Sequence, residues 1–213
     1  MLTDPTLRSQ VDRIWDTLWT GGLSNPLDAI EQLSYLLFLK RLDDMEDREE
    51  RQAKRRGETY ASPIPDKLRW KNWTNKRAED ALEHLRSEVF PWLKGLGDEG
   101  SSFERHMENA ECKIARGSLL IEVCSLIDDM RITEQAQDVQ GDIYEYLLRY
   151  LTTAGRSGQF RTPRHVIRMM VQMIDPKPHD RIGDLAAGTC GFLVNAYQYI
   201  LEQHTPPGRP DLR

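Results

Sequence analysis

The chain has 213 residues, a net charge of −5, 39% apolar residues and 30% charged residues, the balance of a globular protein rather than a fibrous or disordered one. No run approaches the roughly 18 apolar residues of a membrane span, and the start, MLTDPTLRSQ, lacks the basic-then-apolar layout of a secretory signal. Three widely spaced cysteines without a CxxC pair and five scattered histidines argue against a disulfide framework and a metal centre, so a cytoplasmic protein with no metal site is expected.

The first three-quarters reads as helical. Leu7, Val11, Ile14, Trp15 and Leu18 recur every three or four residues and predict a helix over 4–20. After the turn GGLSNP, Asn25 suits an N-cap and Pro26 a first helical position. The next helix is apolar nearly all round from Leu33 to Leu39, which predicts a central, buried position. Beyond Leu42 the sequence turns to DDMEDREERQAKRRG. Asp44 with Arg48, Asp47 with Arg51 and Glu50 with Lys54 are acid-to-base pairs one helical turn apart. Lys54, Arg55 and Arg56 suit the last turn and Gly57 the cap. The prediction is one long helix whose second half projects into solvent.

Pro63 and Pro65 break residues 57–76 into a loop. Trp70 and Trp73 have the shape to stack on bases, but a place over the core is expected of them. Helical spacing returns over 77–93 (Ala81, Leu82, Leu85, Val89, Phe90), then, after GLGDEGSS, over 116–130 and 139–152. From there the pattern changes. TAGRSGQFRTP is rich in small and turn-forming residues, and 163–174 is helical with Pro163 at its first position. Arg181–Leu185 reads as a short strand, 191–202 as a helix, and the Pro-rich tail as irregular.

Two features of this last part carry chemistry. No acid stands between Glu145 and Asp175, while Arg149, Arg156, Arg161, Arg164 and Arg168 all do. From residue 151 onward eight basic residues face five acidic ones. Such a patch is a phosphate-binding surface or a solvated face, and charge alone does not choose. The second feature is DLAAGTCGFL at 184–193, small residues between a predicted strand and a predicted helix. Small residues let backbone approach a ligand, and the helix start offers free N–H groups. The stretch is neither GxGxxG nor a Walker loop, so by itself it is a cofactor turn or a plain strand-to-helix link.

Read together, the motifs resemble a known family. DLAAGTCGFL is similar to the DPACGxGGF form of motif I in S-adenosylmethionine-dependent N6-adenine DNA methyltransferases. Gly158-Gln159-Phe160-Arg161-Thr162-Pro163 resembles the GQFYTP signature of the modification (methyltransferase) subunit of type I restriction–modification systems. The helix GDIYEYLL at 141–148 and the LLFLKRLDDMED core near the N-terminus resemble that family's helical parts. The resemblance implies a mainly α fold. A helical N-terminal domain (1–152) is followed by the first helix–strand–helix elements of a Rossmann-like α/β methyltransferase domain (153–213).

The resemblance also implies a cofactor, S-adenosyl-L-methionine, beside Gln159, Phe160, Arg161, Thr162, Pro163 and Arg164, with Asp184, Gly188, Thr189, Cys190 and Gly191 supplying the motif I turn. A carboxylate at Asp184 suits the donor's ammonium, and turn N–H groups suit its carboxylate. It implies site-specific methylation of adenine N6 in double-stranded DNA, with a specificity subunit, a restriction subunit and a second copy of the chain as partners. Arg149, Arg156 and Arg168 are the candidate nucleic-acid contacts.

The sequence departs from the family pattern in places. Leu185 stands for the usual Pro, Ala187 for Cys, Cys190 for the second glycine and Arg161 for an aromatic residue. Cys190 is unfavourable if its position needs a positive φ. The Asn-Pro-Pro motif that grips a flipped adenine occurs nowhere in the sequence, and neither does an acid placed for the ribose. The expectation is an N-terminal piece of the enzyme, with no catalytic residue in this chain and no activity alone. The alternative is a non-catalytic helical module that binds DNA backbone or partner subunits.

Overall fold

Two capping residues set the first pair of helices. In the computed structural model, which describes residues 4–97, 100–131, 142–148, 162–188 and 190–204, α1 runs Pro5–Thr20 and α2 runs Pro26–Arg56. Asp4 accepts hydrogen bonds from the Thr6 and Leu7 amides at 2.8 and 3.3 Å. Asn25 accepts one from the Leu27 amide at 3.1 Å. Each cap satisfies amides that no helical carbonyl can reach. Pro5 and Pro26 stand where a missing N–H costs nothing. Gly57 ends α2 in the left-handed conformation, as its place after Lys54, Arg55 and Arg56 predicts.

The chain divides into two compact units, Leu2–Ala154 and Gly155–Arg213. In the first, α1 and α2 are followed by α3 (Trp70–Trp73), α4 (Ala78–His84), a π-helical turn (Leu85–Val89), α5 (Phe90–Lys94), α6 (Ser102–Met107), α7 (Gly117–Asp129) and α8 (142–148). The centre is α7, which packs on α1, α2 and α4. It buries Leu119, Leu120, Val123, Cys124, Leu126 and Ile127. The sequence predicts α2 for this place. α2 does bury Leu33, Leu36, Leu37 and Leu39, but Phe38 is 37% exposed. A 31-residue helix with a charged second half cannot be surrounded, whereas 13 mostly apolar residues can.

Close approach of backbones fixes α7 against α4. A Cβ on Gly117 would lie 2.2 Å from the Ala78 carbonyl oxygen, so only glycine fits. Trp70 and Trp73 are core residues, packed edge to face at 5.1 Å. The Trp70 indole donates to Asp128 at 3.0 Å.

The second half of α2 is not a free arm. Among the described residues none of the three predicted acid-to-base pairs is an ion pair. Asp44 pairs with Lys40 at 3.0 Å. Asp47 pairs with Arg69 at 2.5 Å and Lys71 at 2.8 Å. Glu50 lies 4.0 Å from Lys71. Residues 57–71 fold back over one face of the helix. Arg69, 3% exposed, bonds Asp43 through Nε and the Asp43 carbonyl through Nη2. The Tyr60 and Ser62 hydroxyls donate to Glu46 at 2.9 and 2.6 Å. Exposed pairs along a helix contribute a few tenths of a kcal/mol. A buried, multiply bonded guanidinium outcompetes them.

In the second unit, α9 (Arg164–Ile174) and α10 (Gly191–His204) pack on each other through Ile167, Val171 and Ala196, with Phe192 and Tyr199 alongside. Pro163 is the N-cap of α9, one residue before its predicted place. Asp175 ends α9 at φ 50 and accepts from the Tyr199 hydroxyl at 2.9 Å. Hydrogen bonds from Lys177 and then Tyr199 hold its carboxyl below the ordinary range. The end of α9 therefore sits beside the third turn of α10, and the earlier residues of the two helices form the shared core.

The predicted strand Arg181–Leu185 is absent, and no strand occurs among the described residues. The segment returns from the end of α9 to the start of α10 without a ladder. A strand exists only through hydrogen bonds to a neighbour. Ile182 and Leu185, which a sheet would cover, are 44% and 108% exposed.

Two outcomes follow for the first unit. Arg69→Met leaves Asp43 buried without its cation, and urea unfolding should register a loss of about 3 kcal/mol or more. A second substitution, Asp43→Asn, should recover part of that loss, and no recovery would show that the ion pair is not the cause. For Asp47, burial pushes the carboxyl up, but hydrogen bonds and charge from Lys71 and Arg69 outweigh it and hold it below its ordinary 3.8. A depressed carboxyl stabilises the fold fully above its unfolded value and loses that contribution as pH falls through the folded one. The stability gap between wild type and Asp47→Asn should thus be constant above about pH 5 and close progressively below the unfolded value. Urea midpoints across pH would measure it.

Candidate functional site

The turn at 184–190 is built by local bonds. Asp184 is half-buried, and its Oδ1 accepts from the Ala186 amide at 3.0 Å. Its Oδ2 makes no hydrogen bond among the described residues. The Cys190 amide donates to the Ala187 carbonyl at 2.6 Å, and the Cys190 carbonyl accepts from the Val194 amide at 2.9 Å. That last bond is the first of α10, so Cys190 is its N-terminal boundary. Gly188 has φ 51 and Cys190 φ 59. Among the described residues, a Cβ on Gly188 would meet only the Ala186 carbonyl oxygen, at 3.8 Å. Glycine there answers backbone angle, not space.

Cys190 therefore occupies a left-handed position, the case in which its Cβ is unfavourable. The cost for a non-glycine residue is about 1–2 kcal/mol. Its thiol is exposed.

The predicted site residues fall into two groups. Thr162 and Pro163 precede α9, and Arg164 is its first residue. Asp184, Gly188, Cys190 and the buried Gly191 form the turn and the start of α10. Each group thus stands at a helix N-terminus, one at the start of α9 and one at the start of α10. Gln159, Phe160, Arg161 and Thr189 lie outside the described residues, as do Arg149 and Arg156. Arg168, one turn into α9, is exposed, as is His165.

The donor set suits a zwitterionic amino-acid group. A carboxylate with an open oxygen can take an ammonium, and the first amides of a 14-residue helix can take a carboxylate. That matches the amino-acid end of S-adenosylmethionine in chemistry. Among the described residues no group of three or more His, Cys, Asp or Glu is placed to hold a metal ion. None of their helices is long and apolar enough to cross a membrane. Cys112 and Cys124 lie in the other unit, and burial pushes both thiols up, which makes them poor nucleophiles.

Cys190→Gly should relieve the left-handed strain, and Cys190→Val should deepen it, because a β-branched residue tolerates positive φ least. Hydrogen exchange of the α10 amides reads this without interference from the first unit. Protection should rise in the glycine variant and fall in the valine variant, and the reverse order would contradict the turn geometry.

Comparison with known proteins places the chain. Residues 7–127 match the HsdM N-terminal domain, and residues 135–209 match the N-6 DNA Methylase family. The EcoEI type I restriction enzyme methylase subunit of Escherichia coli is 33% identical over 195 residues, covering 86% of this chain and 39% of that protein. The StySPI methylase subunit of Salmonella potsdam is 29% identical over 203 residues, covering 91% of this chain and 35% of that protein. A crystal structure described as a type I restriction enzyme modification subunit, from Vibrio vulnificus YJ016, superposes with a TM-score of 0.74 at 26% identity, over 96% of this chain and 48% of that one. The chain thus spans less than half the length of these relatives. A helical unit matching the HsdM N-terminal domain, joined to a segment matching N-6 DNA methylases, identifies the chain as a member of the type I restriction–modification methylase subunit family, whose N-terminal part it covers.

Proposed function

We propose that the protein to which this chain belongs transfers a methyl group from S-adenosylmethionine to adenine N6 in double-stranded DNA. Residues 1–152 are read as its helical domain and 153–213 as the opening of its Rossmann-like methyltransferase domain. The observation that carries the reading is the turn at 184–191. An acid, a positive-φ glycine and a second positive-φ residue lead directly into a helix N-terminus. Family membership supports it, and so does the connectivity: a helix, a return segment, and a second helix packed on the first.

In this reading Asp184 binds the donor's ammonium, and the amides of Gly188, Thr189 and Gly191 receive its carboxylate, while the Cys190 amide holds the turn through the Ala187 carbonyl. Gln159, Phe160, Arg161, Thr162, Pro163 and Arg164 close over it. When bound, the donor supplies an electrophilic methyl group. This chain's residues orient it and contribute no acid or base. Arg149, Arg156 and Arg168 are the proposed nucleic-acid contacts of this part. Target selection belongs to a specificity subunit and cleavage to a restriction subunit, with a second copy of the methylase in the assembly.

Isothermal calorimetry of the full-length protein with S-adenosylmethionine tests the reading. Saturable binding is expected, weakened about 10- to 100-fold by Asp184→Ala, the scale of one charged hydrogen bond. Wild-type protein that takes up no donor, alone or with its specificity subunit, would sink the proposal.

A further inference from the structure

The reassignment of the acids on α2 leaves four bases of its second half without an ion pair among the described residues. Asp43, Asp44, Asp47 and Glu50 are engaged by Arg69, Lys40 and Lys71. The Glu46 carboxylate is occupied by the Tyr60 and Ser62 hydroxyls. Arg48, Arg51, Lys54 and Arg55 are exposed and form no ion pair among the described residues. Arg51 bonds only the Asp47 carbonyl, at 2.9 Å. Arg56 is neutralised by Glu58 at 3.2 Å.

Arg48, Arg51 and Arg55 follow the spacing i, i+3, i+7, which puts them on one stripe of the helix. Lys54 flanks the stripe, and Glu49 falls on another face. The helix dipole does not account for the row. It equals about half a charge and acts within the last turn, whereas Arg48 stands two turns from the end. The setting makes the row stand out further: residues 1–150 carry 21 basic and 29 acidic side chains.

We infer that the row Arg48–Arg51–Arg55 on α2, with Lys54 beside it, is a contact for the phosphate backbone of duplex DNA. The row covers about 10 Å of helix, and one DNA strand carries a phosphate about every 3.4 Å along its axis. Three forked guanidiniums over that length match a short run of phosphates, and arginine is the cation suited to bind phosphate oxygens bidentately. Phosphate contacts carry no sequence preference, so the row holds and orients the duplex. The inference rests on the proposed action on DNA.

The test measures binding of a fluorescent duplex to the full-length protein, with its specificity subunit, across a salt series. In Arg48→Gln/Arg51→Gln/Arg55→Gln, the slope of log K against log salt should shrink in magnitude by about two to three, roughly 0.9 per lost phosphate contact. The triple lysine variant should keep most of the wild-type slope, and circular dichroism should be unchanged because all three side chains are exposed. An unchanged slope in the glutamine variant, with wild-type binding intact, overturns the inference and leaves the DNA reading standing. A row that met an acidic protein partner would give that unchanged slope together with a loss of subunit assembly. Absence of any duplex binding by wild type overturns both.

Discussion

One buried guanidinium ties the first unit together. Removing Arg69 from water costs several kcal/mol, and only close carboxylates and further hydrogen bonds offset that cost. α2 provides them at Asp43 and Asp47, one turn apart on one face, and adds the Asp43 carbonyl at 3.3 Å. To reach them, the chain after Gly57 must double back along the helix. That return delivers Trp70 and Trp73 into the core. It also sets the start of α4 where the Gly117 backbone of α7 can meet it. The charged half of α2 is thereby a docking strip for its own following loop, and the ion cluster selects the path that the rest of the unit builds on.

The same cluster redistributes charge along α2. Read as a string, DDMEDREERQAKRR alternates acids and bases and looks self-compensated. In three dimensions Asp43, Glu46, Asp47 and Glu50 face the returning loop, which brings its own cations and hydroxyls. Arg48, Arg51 and Arg55, on the adjoining stripe, keep their charge exposed. A helix whose acids and bases nearly balance in sequence has most of its acids neutralised by packing while these bases stay open to solvent. The separation follows from packing, since the residues that cause it, Arg69 and Lys71, lie some twenty positions away.

This marks the limit of what the sequence disclosed. Asn25, Pro26 and Gly57 act on their own neighbours, so the ends of α2 were legible from local pattern. So were the buried faces of α1 and α7, because helical periodicity depends only on spacing. The acid-to-base pairs were misassigned because proximity along a helix is a weak term, and a distant buried cation outweighs it. The central place of α7 rather than α2 was also illegible: it depends on which helix is short and apolar enough to be surrounded. In the candidate site, the turn residues were found from small-residue pattern. That Cys190 is held at a positive φ was visible only as a condition, since one sequence does not state its backbone angles.

The predicted strand failed for a different reason, and its failure isolates what the turn needs. Arg181–Leu185 has the composition of a strand and connects two packed helices. It lacks the partner that makes a ladder, and ladder bonds are non-local by nature. The turn that follows keeps its shape regardless. Asp184 bonds the Ala186 amide, Cys190 bonds the Ala187 carbonyl, and α10 begins at once. Each of these bonds spans four residues or fewer. The proposed donor-binding turn is therefore encoded by its own residues and the helix it starts, and the sheet is not required to bend it. An exposed cysteine can then occupy a glycine's angle there, because the flanking bonds set the angle and the side chain bears the cost.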